Sequence, residues 1–118
     1  MKTFKVSAKE FNRLSMKEKA PLEKEITKEI RKFLNLKRIF HYKAWQGLGS
    51  VKGVADIIGI MPTGSKTPGT FVAIEVKTAR GVLSPHQEEF LRRINEAGGI
   101  AFVARGIADV IYNLKNYW

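Results

Sequence analysis

The spacing of apolar positions changes period several times along the chain, and each change marks an element. Val6-Ser7-Ala8-Lys9-Glu10-Phe11 opens the first. Ser7 with Glu10 has capping-box spacing and Val6 with Phe11 reads as a hydrophobic staple, so a short lysine-rich helix to about Leu14 is expected. Ile26, Ile30, Phe33 and Leu34 then recur at helical spacing and predict a second helix from about Pro21 to Leu36. Pro21 suits a first helical position. Glu23 precedes Ile26 by one helical turn and falls on the edge of the stripe that faces the core. Glu25 and Glu29 fall on other faces, with Lys28 and Lys32 as neighbours at helical spacing, and read as surface residues.

The period then shortens to two. Ile39 to Gln46 alternates as a strand, and Ala55 to Met61 and Thr70 to Thr78 follow as two more, rich in β-branched residues. The glycine-rich stretch Gly47–Gly53 separates the first two, and a turn over Pro62–Gly69 joins the second to the third as a hairpin. Ser84-Pro85 opens another helix, which Gly98-Gly99 stops. Ile100 to Ala104 is a short buried strand, and Ile107 to about Asn116 a closing helix. The expected order is α-α-β-β-β-α-β-α. A hairpin-linked meander followed by a helical crossover makes this an α/β domain with a mixed sheet.

Composition narrows the possibilities. The length of 118 residues suits one domain, 1–118. The absence of cysteine excludes disulfides, thiolate metal sites and cysteine nucleophiles. No apolar run is long enough for a transmembrane helix and no signal-peptide core is present, so a soluble, cytoplasmic protein with no membrane partner is expected. A formal charge of +10, from 21 lysines and arginines against 11 acids, points to a polyanion partner.

Against that basic background the acids stand out. Asp56 is one of only two aspartates and lies in the apolar stretch Val54-Ala55-Asp56-Ile57-Ile58. A carboxylate there is costly unless something uses it. Glu75 and Lys77 alternate with Val76 in a strand, so their side chains share one face. If the strands on either side of Pro62–Gly69 pair, Asp56 approaches Glu75. Two carboxylates and a lysine suffice for phosphodiester chemistry. The carboxylates hold a hard divalent cation, the Val76 carbonyl offers a further oxygen, and the lysine orients or deprotonates water. Glu23 is available as a third carboxylate. Each fragment alone also has a plain structural explanation, as a same-face ion pair for Glu75–Lys77 and a strand-edge cap for Asp56.

Taken together, Gly53-Val54-Ala55-Asp56-Ile57-Ile58-Gly59 and Ile74-Glu75-Val76-Lys77-Thr78 resemble the core of the PD-(D/E)XK nuclease superfamily. Thr78-Ala79-Arg80-Gly81-Val82-Leu83-Ser84-Pro85-His86-Gln87 and the closing Ala97–Ala104 segment narrow the resemblance to the VRR-NUC (virus-type replication-repair nuclease) domain, over about residues 21–114. The resemblance implies an αβββαβ core flanked by a short N-terminal and a C-terminal helix, Mg²⁺ or Mn²⁺, and cleavage of branched DNA such as Holliday junctions by a homodimer. It implies Asp56 and Glu75 as metal ligands, Lys77 as the catalytic lysine, Glu23 as the helical glutamate of the acidic set and Gln87 as an active-site glutamine. Gln87 has a competing role, since Ser84-x-x-Gln87 is itself a capping box.

Other residues carry weaker signals. Lys52 and Arg80 flank the site on loops and are expected phosphate contacts, with Ser50 of the glycine-rich loop and Lys43 as further DNA contacts. Tyr42, Lys43 and Trp45 interleave base and aromatic as nucleic-acid surfaces do, although alternate core packing explains them equally. His41 reads as structural or solvent-facing, and His86 as an exposed first-turn residue within reach of phosphate. Phe4, Phe11, Tyr117 and Trp118 are candidates for a dimer contact. An exonuclease or nickase on the same chemistry, and a non-catalytic DNA-binding protein on the same fold, remain the alternatives.

Overall fold

The computed structural model describes residues 22–64 and 66–117. The expected helix at Ser7–Leu14, together with Phe4, Pro21 and Trp118, lies outside the described residues.

Helix α1 (Glu23–Leu36) leads into β1 (Phe40–Lys43), β2 (Ile57–Met61) and β3 (Thr70–Val76). Helix α2 (Pro85–Glu96), β4 (Ile100–Ala104) and α3 (Ile107–Leu114) follow, and a 3₁₀ turn at Lys115–Tyr117 ends the described chain. The sheet runs β1-β2-β3-β4, with β1, β2 and β3 antiparallel and β4 parallel to β3. This is the expected mixed α/β fold, with α2 as the crossover that a parallel pair requires.

Three strands are shorter than their sequence pattern predicts, all at the same end of the sheet. The first stops at Lys43 rather than Gln46, the second starts at Ile57 rather than Ala55, and the third stops at Val76 rather than Thr78. The reason is a change of hydrogen-bond partner. The Val76 N–H goes to the Asp56 side chain, and the Gln46 side chain turns to Val54 and Asp56. The β2–β3 ladder gives way where polar side chains take over its backbone groups, while single backbone bonds run on from Ala44 to Asp56 and from Lys77 to Ala104.

Alternation along the strands sends side chains to two faces. Ile57, Ile74 and Val76 pack with Ile30 and Leu34 of α1 and Val110 and Leu114 of α3. On the other face Ala55, Ile58, Ala73 and Ala101 receive Leu91 of α2. The alanines let α2 approach the sheet closely. Its Asn95 side chain donates to the Ala101 carbonyl and accepts the Ala101 N–H, both at 2.9 Å, which satisfies backbone groups of the edge strand β4.

Helix α2 leaves part of this second face bare. Phe40, Ile60 and Phe71 are successive cross-strand partners in β1, β2 and β3. They are 68%, 48% and 41% exposed. No helix among the described residues is long and apolar enough to cross a membrane.

Candidate active site

The β2–β3 register pairs Ile57 with Ile74, and its continuation by one residue sets Asp56 opposite Glu75. Asp56 is held from three sides. Its Oδ2 accepts the Val76 N–H at 2.7 Å and its Oδ1 accepts Gln46 Nε2 at 3.1 Å. Its carbonyl accepts the Ala44 N–H at 2.8 Å. Gln46 Nε2 also donates to the Val54 carbonyl at 2.9 Å, which ties the tail of β1 to the segment that delivers Asp56.

Glu75 is 2% exposed. Its Oε2 accepts Gln87 Nε2 at 3.2 Å, while its buried Oε1 has no hydrogen-bond partner. Burial pushes the Glu75 carboxyl up from 4.5 to about 8; the neighbouring Asp56 carboxyl and the Glu23 charge push the same way, and Lys77 opposes them. The two carboxyl groups are thus too close and too dry for both to ionise unaided.

Lys77 follows the end of β3 and keeps its pairing, since its N–H donates to the Ala104 carbonyl at 3.1 Å. Strand parity therefore still aims it to the side of Glu75. The lysine stem lies against Gly81, where an added Cβ would stand 3.2 Å from Lys77 Cδ. Arg105 closes the turn between them: its Nη1 donates to the carbonyls of Thr78 at 2.6 Å and Gly81 at 2.8 Å.

The two readings of Gln87 turn out to be compatible. Its Oε1 accepts the Ser84 N–H at 2.9 Å and its N–H donates to Ser84 Oγ, forming the capping box of α2. Its Nε2 remains free to reach Glu75. The same helix start is packed from outside by Gly53, at φ +75°, where an added Cβ would stand 2.1 Å from the His86 carbonyl oxygen. Gly47–Gly53 and the beginning of α2 enclose a cleft of about 520 Å³ that includes Ser50, Lys52, His86 and Gln87. The Ser50 hydroxyl donates to the Gly47 carbonyl at 2.8 Å and so holds the loop's own turn.

Glu23 stands apart from this arrangement. It is the first residue of α1, exposed, and α1 packs on the sheet face opposite Glu75. Side chains on a helix lean toward its N-terminus, so residue 23 overhangs the helix start rather than the core. Its charge is nevertheless felt at Glu75.

The donor set suits a hard divalent cation. Asp56 and Glu75 present carboxylate oxygens, one of them buried and unpartnered, and the positive charge of a cation would remove their mutual repulsion. Among the described residues no group of three or more His, Asp or Glu could hold a metal. The remaining ligands would therefore be water and a main-chain oxygen, for which the Val76 carbonyl is the neighbouring candidate.

Several peripheral expectations also meet the structure. Lys43, Lys52, Arg80 and His86 are exposed. Tyr42 and Trp45 are exposed as well, so alternate core packing does not account for them; Trp45 lies over Gly47 and donates from Nε1 to the Leu48 carbonyl at 3.1 Å. His41 is structural: its Nδ1 donates to the Ile39 carbonyl at 2.9 Å. Gln46 and Arg105 are the supporting residues that sequence reasoning missed. Gln46 looked like one more strand position, and nothing in its neighbourhood pointed to Asp56. Arg105 lies far along the chain from the turn it holds.

A family model for the VRR-NUC domain matches residues 5–108. Comparison with curated proteins and with solved structures gives no match.

Proposed function

The chain belongs to the VRR-NUC domain family and is a nuclease with DNA as its substrate; from that premise we propose that it is a Mg²⁺- or Mn²⁺-dependent endonuclease selective for branched DNA, four-way junctions above all. The observation that carries the metal-dependent reading is the Asp56–Glu75 pair, with its unpartnered buried oxygen and a carboxyl pushed up to about 8.

In this reading Asp56 and Glu75 hold the cation, with the Val76 carbonyl beside them. The bound ion would neutralise charge on the phosphate and activate water. The protein's own groups prepare the place. The Val76 N–H and Gln46 fix the two oxygens of Asp56, and Gln87 fixes one oxygen of Glu75. Lys77 donates to the attacking water or to a phosphate oxygen, and the turn held by Arg105 limits where its stem can go. Glu23 contributes negative charge from outside the first ring of ligands. Lys52, Arg80, Ser50 and Lys43 contact the DNA backbone on either side.

Selectivity for junctions is inferred from symmetry. A four-way junction has a two-fold axis and resolution needs two opposed incisions, whereas one chain carries one carboxylate pair. A two-fold homodimer supplies both. The row Phe40–Ile60–Phe71, exposed among the described residues, supports self-association, and Tyr117, also exposed, remains a candidate contact.

The test is cleavage of linear, flap and four-way DNA with Mg²⁺, Mn²⁺ or EDTA, alongside light scattering at micromolar protein. Cutting that requires the metal, favours the junction and accompanies a dimer supports the proposal. Robust cutting in EDTA removes the metal mechanism. A monomer that cuts linear duplex as readily as junctions removes the branched-DNA reading.

A further inference from the structure

One groove on the described surface has neither Asp56 nor Glu75 in its lining. It lies between α1 and β1, has a volume of about 620 Å³, and is lined by Lys24, Lys28, Arg31, Lys32 and Lys43 with no acid among its described lining residues. On sequence alone the helix cations read as ordinary neighbours of Glu25 and Glu29. Among the described residues, however, none of these five makes an ion pair.

Two features make this more than a solvated basic face. Lys24, Lys28 and Lys32 recur at i, i+4 spacing, which stacks like charges along one side of the helix and works against its stability unless an anion is present. Arg31 Nε, between them, is buried without a hydrogen-bond partner. A buried donor left unpaired is costly, and a turn of the half-buried Arg31 side chain toward a phosphate in the groove would relieve it.

The groove also begins at the carboxylate end of the sheet. Lys24 adjoins Glu23, whose charge reaches Glu75, and Lys43 adjoins Ala44, whose N–H is bonded to the Asp56 carbonyl. From Lys24 the cations continue down α1 to Lys32, about 12 Å at the rise of an α-helix. That length spans about three to four phosphates of one strand measured along a duplex axis.

We propose that the α1–β1 groove is a second DNA-binding surface, which holds the phosphate backbone of the duplex arm leading away from the scissile phosphate. The inference rests on the reading of this chain as a DNA nuclease and adds the place where the uncut part of the substrate lies.

The test uses the full chain in EDTA, with duplex binding followed by fluorescence anisotropy against salt. On a 30-base-pair duplex, Lys28→Ala/Lys32→Ala should lower the slope of log K against log salt by about 2 and weaken binding about 10-fold or more near 150 mM salt. Lys28→Arg/Lys32→Arg should retain both. Lys66→Ala/Lys115→Ala removes the same charge outside the groove and should change the slope by less than half as much. Lys24→Ala, an exposed single change in the first turn of α1, should lower the slope by about 1, which keeps the test available if the double helix variant fails to fold.

If the groove variants leave the slope unchanged, or if the outside pair lowers it equally, the groove is not a DNA site. The parent nuclease reading fails separately: a wild-type chain that cuts no DNA with Mg²⁺ or Mn²⁺ but shows the groove-specific slopes would bind DNA there without being a nuclease.

Discussion

Gln87 joins Glu75 to the start of α2: its Nε2 donates to Glu75 Oε2 at 3.2 Å while its Oε1 accepts the Ser84 N–H at 2.9 Å. One amide thus caps a helix and orients a buried carboxyl, and the two tasks can be separated. Gln87→Ala removes both, so it should cost about 1 kcal/mol of stability and lower cleavage. Gln87→Glu can rebuild the capping box but has no N–H to give Glu75. It should keep near wild-type stability and still cut poorly. Thermal melts with single-turnover cleavage distinguish the two; a fully active Gln87→Glu would confine Gln87 to capping.

The carboxylates and the lysine should separate activity from binding. Asp56→Ala, Glu75→Ala and Lys77→Ala should each slow cleavage by about 10²-fold or more, with DNA binding largely retained. Asp56→Ala should also destabilise by about 1–3 kcal/mol, because the Val76 N–H loses its acceptor. Glu23→Ala should reduce activity while Glu25→Ala and Glu29→Ala stay near wild type. The reverse order in a cleavage assay would overturn the role given to Glu23.

Glu75 predicts a particular pH dependence. Its carboxyl lies at about 8 in the cation-free protein, against 4.5 for an unperturbed group. Between those values the folded chain keeps a proton that the unfolded chain has released. Its stability in EDTA should therefore fall as pH rises from about 4.5 to about 8, by at most ~1.4 kcal/mol per pH unit. Glu75→Gln should flatten this dependence. Mg²⁺ or Mn²⁺ should displace the proton and flatten it too. Urea melts across pH check it, and identical slopes for wild type and Glu75→Gln would refute it.

Gly53→Ala tests the contact between the glycine-rich loop and α2. The positive φ alone should cost about 1–2 kcal/mol, and the added Cβ would meet the His86 carbonyl oxygen at 2.1 Å. The loop must then move off the helix start that presents Gln87. Lower melting temperature together with slower cleavage is the expected result, while an unchanged melting temperature would mean the loop does not pack there in solution.

Arg105→Ala should loosen the turn after Lys77 without touching DNA. Cleavage should fall severalfold, up to about 10²-fold if the ammonium shifts by an ångström, while DNA affinity changes little. Arg105→Lys should recover part of the rate, since one of the two carbonyls can still be reached. Loss of affinity with an intact rate at saturating DNA would instead make Arg105 a phosphate contact.

Much of this protein is written locally. The alternation in Thr70–Val76, the apolar stripe of α1 and the Ser84–Gln87 capping box each report a backbone conformation through neighbouring residues, and the corresponding elements formed where expected. The approach of Asp56 to Glu75 was also legible, because a hairpin turns sequence distance into register. What tertiary structure decided were contacts between elements that no local period encodes. Gln46 reaches Asp56, Arg105 reaches back to Thr78 and Gly81, and the charge of Glu23, at the start of α1, is felt at Glu75. The groove of unpaired cations arises only when α1 is laid beside β1. Local spacing sets which way a side chain leaves its own element; which groups it meets depends on how the elements pack, and packing is settled by the whole core at once.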